Sequence, residues 1–362
     1  MKNNIGGYTF EDINFVAAFD VDSRKTKKYL RDAIVSPPNC TPLFVNYDVI
    51  EPGPIVQKGP VLDGVAKIMK DYANDEAFRV NDDDIELSKE EIIKILKDNK
   101  VDILINYLPI GSQLATEFYA ECCLESGVSL CNCIPVFIAS NPEWEQKFAD
   151  KGIPLIGDDM LSQFGASIFS KMIQELAFAR GHKVKCHIQR NVGGNTDFLN
   201  MTDKEHVKSK KISKENVINS QNRIRDIDLN NSFIHAGPSE YIRYYKDNKV
   251  ANFRVEMEGF MGSPVILDAQ LSVIDSPNSA GVVIDAIRYL KVARELGIIG
   301  SLRGPSAFTQ KSPPEQMIFS NIQFECDELA NRKLTDITRI QIEKYNVKEL
   351  YKIRPSYNTH NI

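Results

Sequence analysis

The run Val101-Asp-Ile-Leu-Ile-Asn-Tyr-Leu-Pro109 is apolar at nearly every position. Alternation would mark a strand with one wet face. A near-continuous run marks a strand buried on both faces, as in a parallel sheet between two layers of helices. The flanking sequence agrees. Ser88-Lys-Glu-Glu91 is a capping box opening a helix to about Lys97, and helical patterns over 112–126 and 142–150 alternate with apolar stretches at 128–133 and 153–159. This order predicts right-handed βαβ units in an α/β, Rossmann-like, doubly wound parallel sheet. Phe15-Val-Ala-Ala-Phe-Asp-Val-Asp22 reads as another strand of that sheet, followed by a helix over 23–34 with Ser23 as N-cap and a Pro- and Gly-rich excursion over 35–62.

After Asp159 the pattern changes. A helix over 162–180 meets Gly181 in the stop position. Beyond it, Phe253, Val255 and Met257 alternate with Arg254, Glu256 and Glu258, and Val265, Leu267, Ala269, Leu271 and Val273 alternate with polar residues. Period-two alternation predicts antiparallel strands with one wet face. A chain of 362 residues is long for one hydrophobic core. The expected organisation is a Rossmann-like α/β domain over 1–160 and an inserted α+β domain over 161–274. A return to the first domain over 275–324 begins with an apolar helix over 278–297, and a polar tail covers 325–362.

Composition removes several classes. Net charge is −5 with no long basic block, which argues against a nucleic-acid surface. No apolar run reaches the ~18–20 residues of a membrane span, and Met1–Phe10 lacks the apolar core of a secretory signal. The seven cysteines are odd in number and form no CxxC, which predicts reduced, mostly buried thiols and a cytoplasmic protein. Cys131 and Cys133 share one strand face, but no second pair of metal ligands accompanies them.

Several positions can carry chemistry. Asp20 closes its strand where a carboxylate can grip the ribose of NAD; a capping acid in the next turn is the equal alternative. Gly111-Ser112, where a strand enters a helix, could present N–H groups to a ligand or simply form a tight turn. Asp158 and Asp159 end another strand and could bind a divalent ion, steer a cofactor or cap a helix. The stretch 191–200, Asn-Val-Gly-Gly-Asn-Thr-Asp-Phe-Leu-Asn, suits close approach of backbone to a ligand or a polar surface turn. Lys208, Lys210, Lys211 and Lys214 cluster; Lys210 and Lys214 are i,i+4, so an anion between them would relieve their repulsion, against the alternative of a solvated face. Lys311 stands before a diproline and alone says nothing.

Taken together, NFVAAFDVD, NYLPIGS, NCIPVFIAS, PLIGDD, NVGGNTDFLNM, SKKISK, DSPNSAGVVIDA and KSPPEQ occur in the order of the inositol-1-phosphate synthase family, and from about residue 6 to 320 the chain resembles its shorter archaeal and actinobacterial members. The resemblance implies conversion of D-glucose 6-phosphate to 1L-myo-inositol 1-phosphate with tightly held NAD: oxidation at C5, enolisation, attack of C6 on the C1 aldehyde, and reduction. It implies catalytic roles for Lys210, Lys214, Lys249 and Lys311, with Asp275 and Asp197, and leaves the proton shuttle open between Lys214 and Lys311. It places Asn132, Ser162, Asn195 and Ser276 at the nicotinamide end, and Asp20, Asn106, Tyr107, Leu108, Pro109, Ser112, Asp158 and Asp159 at the cofactor. It makes 1–160 the NAD-binding domain and 161–274 the catalytic and tetramerisation domain. It further implies a homotetramer, no nucleic-acid or membrane partner, and for archaeal members a divalent metal, with which the Asp158–Asp159 pair is compatible. Two departures stand out. Leu161 occupies the place of a family lysine, and the family's strand and glycine-rich phosphate turn ahead of Gly6-Gly7-Tyr8 have no counterpart among the fourteen residues before Phe15. The expectation is an N-terminally incomplete copy. The alternatives are another NAD-dependent oxidoreductase on the same scaffold and a truncated, non-catalytic remnant.

Overall fold

The computed structural model describes residues 2–202 and 233–343. In chain order, β1 is Phe19–Asp20, α1 Leu30–Val35, β2 Gln57–Lys58, α2 Lys89–Asp98, β3 Ile103–Asn106, α3 Gln113–Ser126, β4 Ser129–Asn132, α4 Pro142–Asp150 and β5 Pro154–Ile156. There follow α5 Ala166–Ala179, β6 Lys183–Gly193, α6 Thr196–Asn200, β7 Phe233–Tyr241, β8 Asn248–Glu258 and β9 Pro264–Ile274. Within the described residues the chain ends with α7 Asp275–Glu295, β10 Gly300–Ser301, α8 Arg303–Thr309, α9 Phe319–Ala330 and α10 Asp336–Glu343.

The first sheet is parallel, in the order β10-β5-β4-β3. Its apolar runs are explained by what covers them. Leu104, Leu130 and Leu155 pack into a layer with Ile92 and Leu96 of α2, Ala120 and Cys123 of α3, and Phe148 of α4. The intervening residues Ile105, Cys131 and Ile156 pack into the opposite layer with Ala286, Tyr289, Leu290 and Ala293 of α7 and Cys326 of α9. Successive strand residues thus enter different cores, so neither register can be polar. The capping box forms as expected: Ser88 Oγ accepts from Glu91 N at 3.2 Å and Glu91 Oε2 from Ser88 N at 2.8 Å.

Two local expectations fail. Of the run 15–22 only Phe19–Asp20 pairs, with Gln57–Lys58 from the Pro- and Gly-rich excursion, in a separate two-stranded parallel sheet. Phe15 is exposed. The helix expected over 23–34 shrinks to α1, with Tyr29 rather than Ser23 at its N-cap. The cause is Asp22, fully buried: its carboxylate accepts from Arg24 N and Nε and from Arg79 N, which draws 22–26 into a turn against residue 79.

The second sheet runs β7-β6-β8-β9. β8 and β9 are antiparallel in unbroken register from Asn248↔Ile274 to Glu258↔Pro264, as their alternation predicts. β7 lies parallel to β6. Phe253, Ala251, Ala269 and Leu271 meet Ala166 and Phe169 of α5, with the Phe169 and Phe253 rings 4.8 Å apart. Residues 162–165 are not helical, because Leu161 N and Gln163 N donate to Thr309 O and Asn278 O. α5 ends with Gly181 at φ +77°, the left-handed stop. Among the described residues no helix is long and apolar enough to cross a membrane.

Candidate active site

A hollow of about 240 Å³ lies where the carboxyl ends of β3, β4 and β5 face the second sheet. Ligands of open parallel sheets bind at this end. Part of its lining is apolar and includes Tyr107, Leu108 and Pro109 after β3, Cys133 after β4, and Met160 after β5. Part is charged, and two ion pairs from distant parts of the chain line the same hollow. Lys249 of β8 donates to Asp275 Oδ1, the first residue of α7, at 3.1 Å. Lys311, after α8, donates to Asp159 Oδ1 at 2.7 Å. Asp197, in the first turn of α6, lines the hollow as well. Burial opposes the charge on Lys249, but Asp275, with Asp197 and Asp159 behind it, outweighs that and raises its pKa. Lys249 is therefore a fixed ammonium, suited to stabilising negative charge on oxygen.

Of the sequence candidates, Lys249, Lys311, Asp275, Asp197, Tyr107, Leu108, Pro109, Asp159 and Ser162 line the hollow. Lys210 and Lys214 lie outside the described residues. The others are not among its lining residues. Asn106, buried, donates to Thr116 Oγ1 and Asn132 Oδ1 and accepts from Leu108 N, so it shapes the 106–109 turn. Ser112 Oγ donates to Pro109 O at 2.7 Å, and the N–H groups of Ser112 and Gln113 donate within the turn. The tight-turn alternative therefore describes Gly111-Ser112. The free N–H groups at the start of α3 are taken by Asp63, which accepts from Leu114 N and Ala115 N. Asn132 Nδ2 donates to Asp158 Oδ1 at 2.7 Å. Asp158 also accepts from Ile138 N, Ala139 N, Ser140 N and Ser140 Oγ. Burial pushes its pKa up to about 6 against the pull of these donors. A carboxylate so enclosed is committed to the 138–140 turn. Among the described residues no group of three or more His, Cys, Asp or Glu side chains is placed to hold a metal ion. Asp20 accepts from Val21 N and Asp22 N, the capping geometry, and burial raises its pKa.

Asn195 caps α6 through Phe198 N and reaches Asp247 and Asp275 with its amide nitrogen. Ser276 donates to Asp247 through both N and Oγ. Asp247, buried and missed in the sequence, is thus the clamp that ties the 242–248 turn to the start of α7. The two glycines before Asn195 serve the protein rather than a ligand: a Cβ on Gly194 would stand 2.4 Å from Ile242 O, and one on Gly193 2.6 Å from the Phe198 ring. Gln189 and Asn191 also line the hollow, and both are at most 2% exposed. Asn191 Nδ2 has no partner among the described residues. Alternation of His187, Gln189 and Asn191 along one strand face was the available signal. Leu161, in place of the family lysine, is buried and outside the hollow.

Residues 165–276 match the family model described as myo-inositol-1-phosphate synthase. The chain is 44% identical over 320 residues to the inositol-3-phosphate synthase of Mycobacterium tuberculosis, covering 88% of this chain and 83% of the relative. It is 41% identical over 321 residues to that of Corynebacterium glutamicum, covering 88% and 85%. Among solved structures it is similar to a myo-inositol-1-phosphate synthase-related protein from Thermotoga maritima, with a TM-score of 0.73, 24% identity, and coverage of 90% and 89%. At that identity the likeness speaks for the fold alone.

Proposed function

The chain belongs to the myo-inositol-1-phosphate synthase family, and from that premise we propose that it converts D-glucose 6-phosphate to 1L-myo-inositol 1-phosphate with NAD. The observation that carries this reading is the meeting of the Lys249–Asp275 and Lys311–Asp159 pairs on one hollow. The apolar lining of Tyr107, Leu108, Pro109 and Met160 suits a flat nicotinamide ring, and the charged lining suits a polyol phosphate. Tyr107, Leu108, Pro109, Asp159 and Ser162 would hold the cofactor directly; Asn106, Ser112, Asn132, Asp158, Asn195 and Ser276 would act through the turns they fasten. Bound NAD supplies reversible hydride acceptance, so the overall conversion involves no net redox change.

Within the hollow, oxidation, enolisation and aldol closure each place negative charge on substrate oxygen. Lys249 and Lys311 offer ammonium N–H groups to that charge, and Asp275 and Asp159 orient them. Because Asp275 holds Lys249 protonated, we assign Lys249 electrostatic stabilisation and leave proton transfer at C5 to Lys311 or Lys214. Lys210 and Lys214 complete the cationic set in this proposal. Holding both ends of the open sugar also accelerates closure by positioning. The protein is proposed to act in the cytoplasm as a homotetramer.

The test is incubation of the full chain with glucose 6-phosphate and NAD, following inositol phosphate by chromatography and NADH by absorbance. Release of inositol phosphate without accumulating NADH supports the synthase. Net NADH would point to another oxidoreductase on this scaffold. A cooperatively melting protein that neither turns over nor binds NAD would point to a non-catalytic remnant.

A further inference from the structure

The inward face of β6 is polar where its neighbour's is apolar. His187, Gln189 and Asn191 alternate along it, each at most 2% exposed, opposite Val255, Phe253 and Ala251 of β8. Buried polar side chains destabilise a core unless they are paired. Here α5 supplies partners. Gln174 Nε2 lies 3.4 Å from His187 Nδ1, and His187 Nε2 lies 2.9 Å from Ser170 Oγ. Ser170 Oγ donates to Gln189 Oε1 at 2.8 Å, and Gln189 Nε2 donates to Asn191 Oδ1 at 3.1 Å. The line ends at Asn191 Nδ2, which is buried, unpartnered among the described residues, and on a residue lining the hollow.

Such a line has a direction. A serine hydroxyl has one proton. Since Ser170 gives it to Gln189, its oxygen accepts from His187, which must then carry its hydrogen on Nε2. Burial lowers the pKa of His187 to about 4, so the ring is neutral and Nδ1 is left to accept from Gln174. With the hydrogen on Nδ1 instead, every link reverses: Ser170 donates to the ring, Gln189 and Asn191 turn their amides, and Asn191 shows the hollow an acceptor. The tautomer of a histidine outside the hollow thus sets the polarity of an amide inside it.

We propose that His187, Ser170 and Gln189 are positioning residues that hold Asn191 with its N–H toward the substrate, where it donates to an oxygen that becomes carbonyl or oxyanion during turnover. This rests on the synthase reading. A ketone or enolate oxygen accepts hydrogen bonds and cannot donate them, so a locked donor favours those states.

Four variants of the full chain test it. Gln189→Glu has no N–H for Asn191 and forces the amide to turn. Ser170→Ala cuts the line with little change of volume, and His187→Leu removes its source. His187→Gln restores a neutral donor near Nε2. The expected result is a kcat for inositol phosphate formation about 100-fold lower in the first three, with KM changed far less. His187→Gln should recover most of the rate lost in His187→Leu, and melting temperature should not rank the variants as kcat does. Unchanged kcat, or loss that follows melting temperature alone, overturns the proposal. Nitrogen NMR of histidine-labelled wild-type protein, with His187→Gln identifying the resonance, must show the Nε2–H tautomer; Nδ1–H overturns the relay whether or not the chain is active. Wild-type protein without synthase activity would instead remove the functional reading, and the tautomer would then decide the relay alone.

Discussion

Lys249 donates to the Asp275 carboxylate at 3.1 Å, and both line the hollow. Lys249→Met should lower kcat by about 100- to 1,000-fold while leaving the melting temperature within a few degrees, measured by inositol phosphate release and calorimetry. Asp275→Asn should lose rate too, with a smaller loss if the ammonium alone does the work. Lys311 carried no signal from its local sequence and was a candidate only through the family resemblance; its meeting with Asp159 across 152 positions is what sets it on the hollow. The converse holds for Asp158. Its place at a strand end suggested a ligand, but five donors enclose it, and backbone turns are what it serves.

At the scale of elements, local chemistry was legible where it was self-sufficient. The α2 capping box needs only Ser88 and Glu91, so Ser88→Ala should cost about 1 kcal/mol in denaturant melts without touching activity. The 191–195 turn is different. Its glycines looked like a cradle for a ligand, yet the close approach is to Ile242 and Lys246. Gly194→Ala should therefore destabilise by about 1–3 kcal/mol, and the residual folded protein should have the α6 residues, Asp197 among them, displaced from the hollow. A thermal melt combined with kcat at low temperature separates the two effects.

The whole molecule has a pH response that follows from one buried ring. His187 has a pKa lowered from 6.5 to about 4 in the folded chain. A depressed folded value means stability fully present above the unfolded pKa and lost as pH falls from about 6.5 toward 4. The loss is on the order of 3 kcal/mol if the ring alone acts. Asp158, raised to about 6, works in the opposite sense over part of that window. The difference between wild type and His187→Gln isolates the histidine: urea midpoints should converge as pH falls, and parallel curves would exclude the effect. The outer strand of the second sheet leaves Ile266 exposed, and the turn before it exposes Phe260 and Met261. The proposed tetramer would cover that region, so light scattering on Ile266→Glu should report a smaller species.

The parallel sheet was readable because its strands enter two cores, which demands apolar residues in both registers, a pattern visible in 101–109 and 128–133 without coordinates. The alternating strands of the second sheet announced their wet face in the same way. What the sequence by itself determined is therefore the layer architecture, together with the family. Contacts between residues far apart in the chain were decided only by tertiary structure: Lys249 with Asp275, Lys311 with Asp159, Asp22 with Arg79, and the buried line from His187 to Asn191. The physical reason is that periodicity records which medium a side chain faces, whereas the partner of a buried polar group is set by where the folded backbone brings a second chain segment within hydrogen-bonding distance.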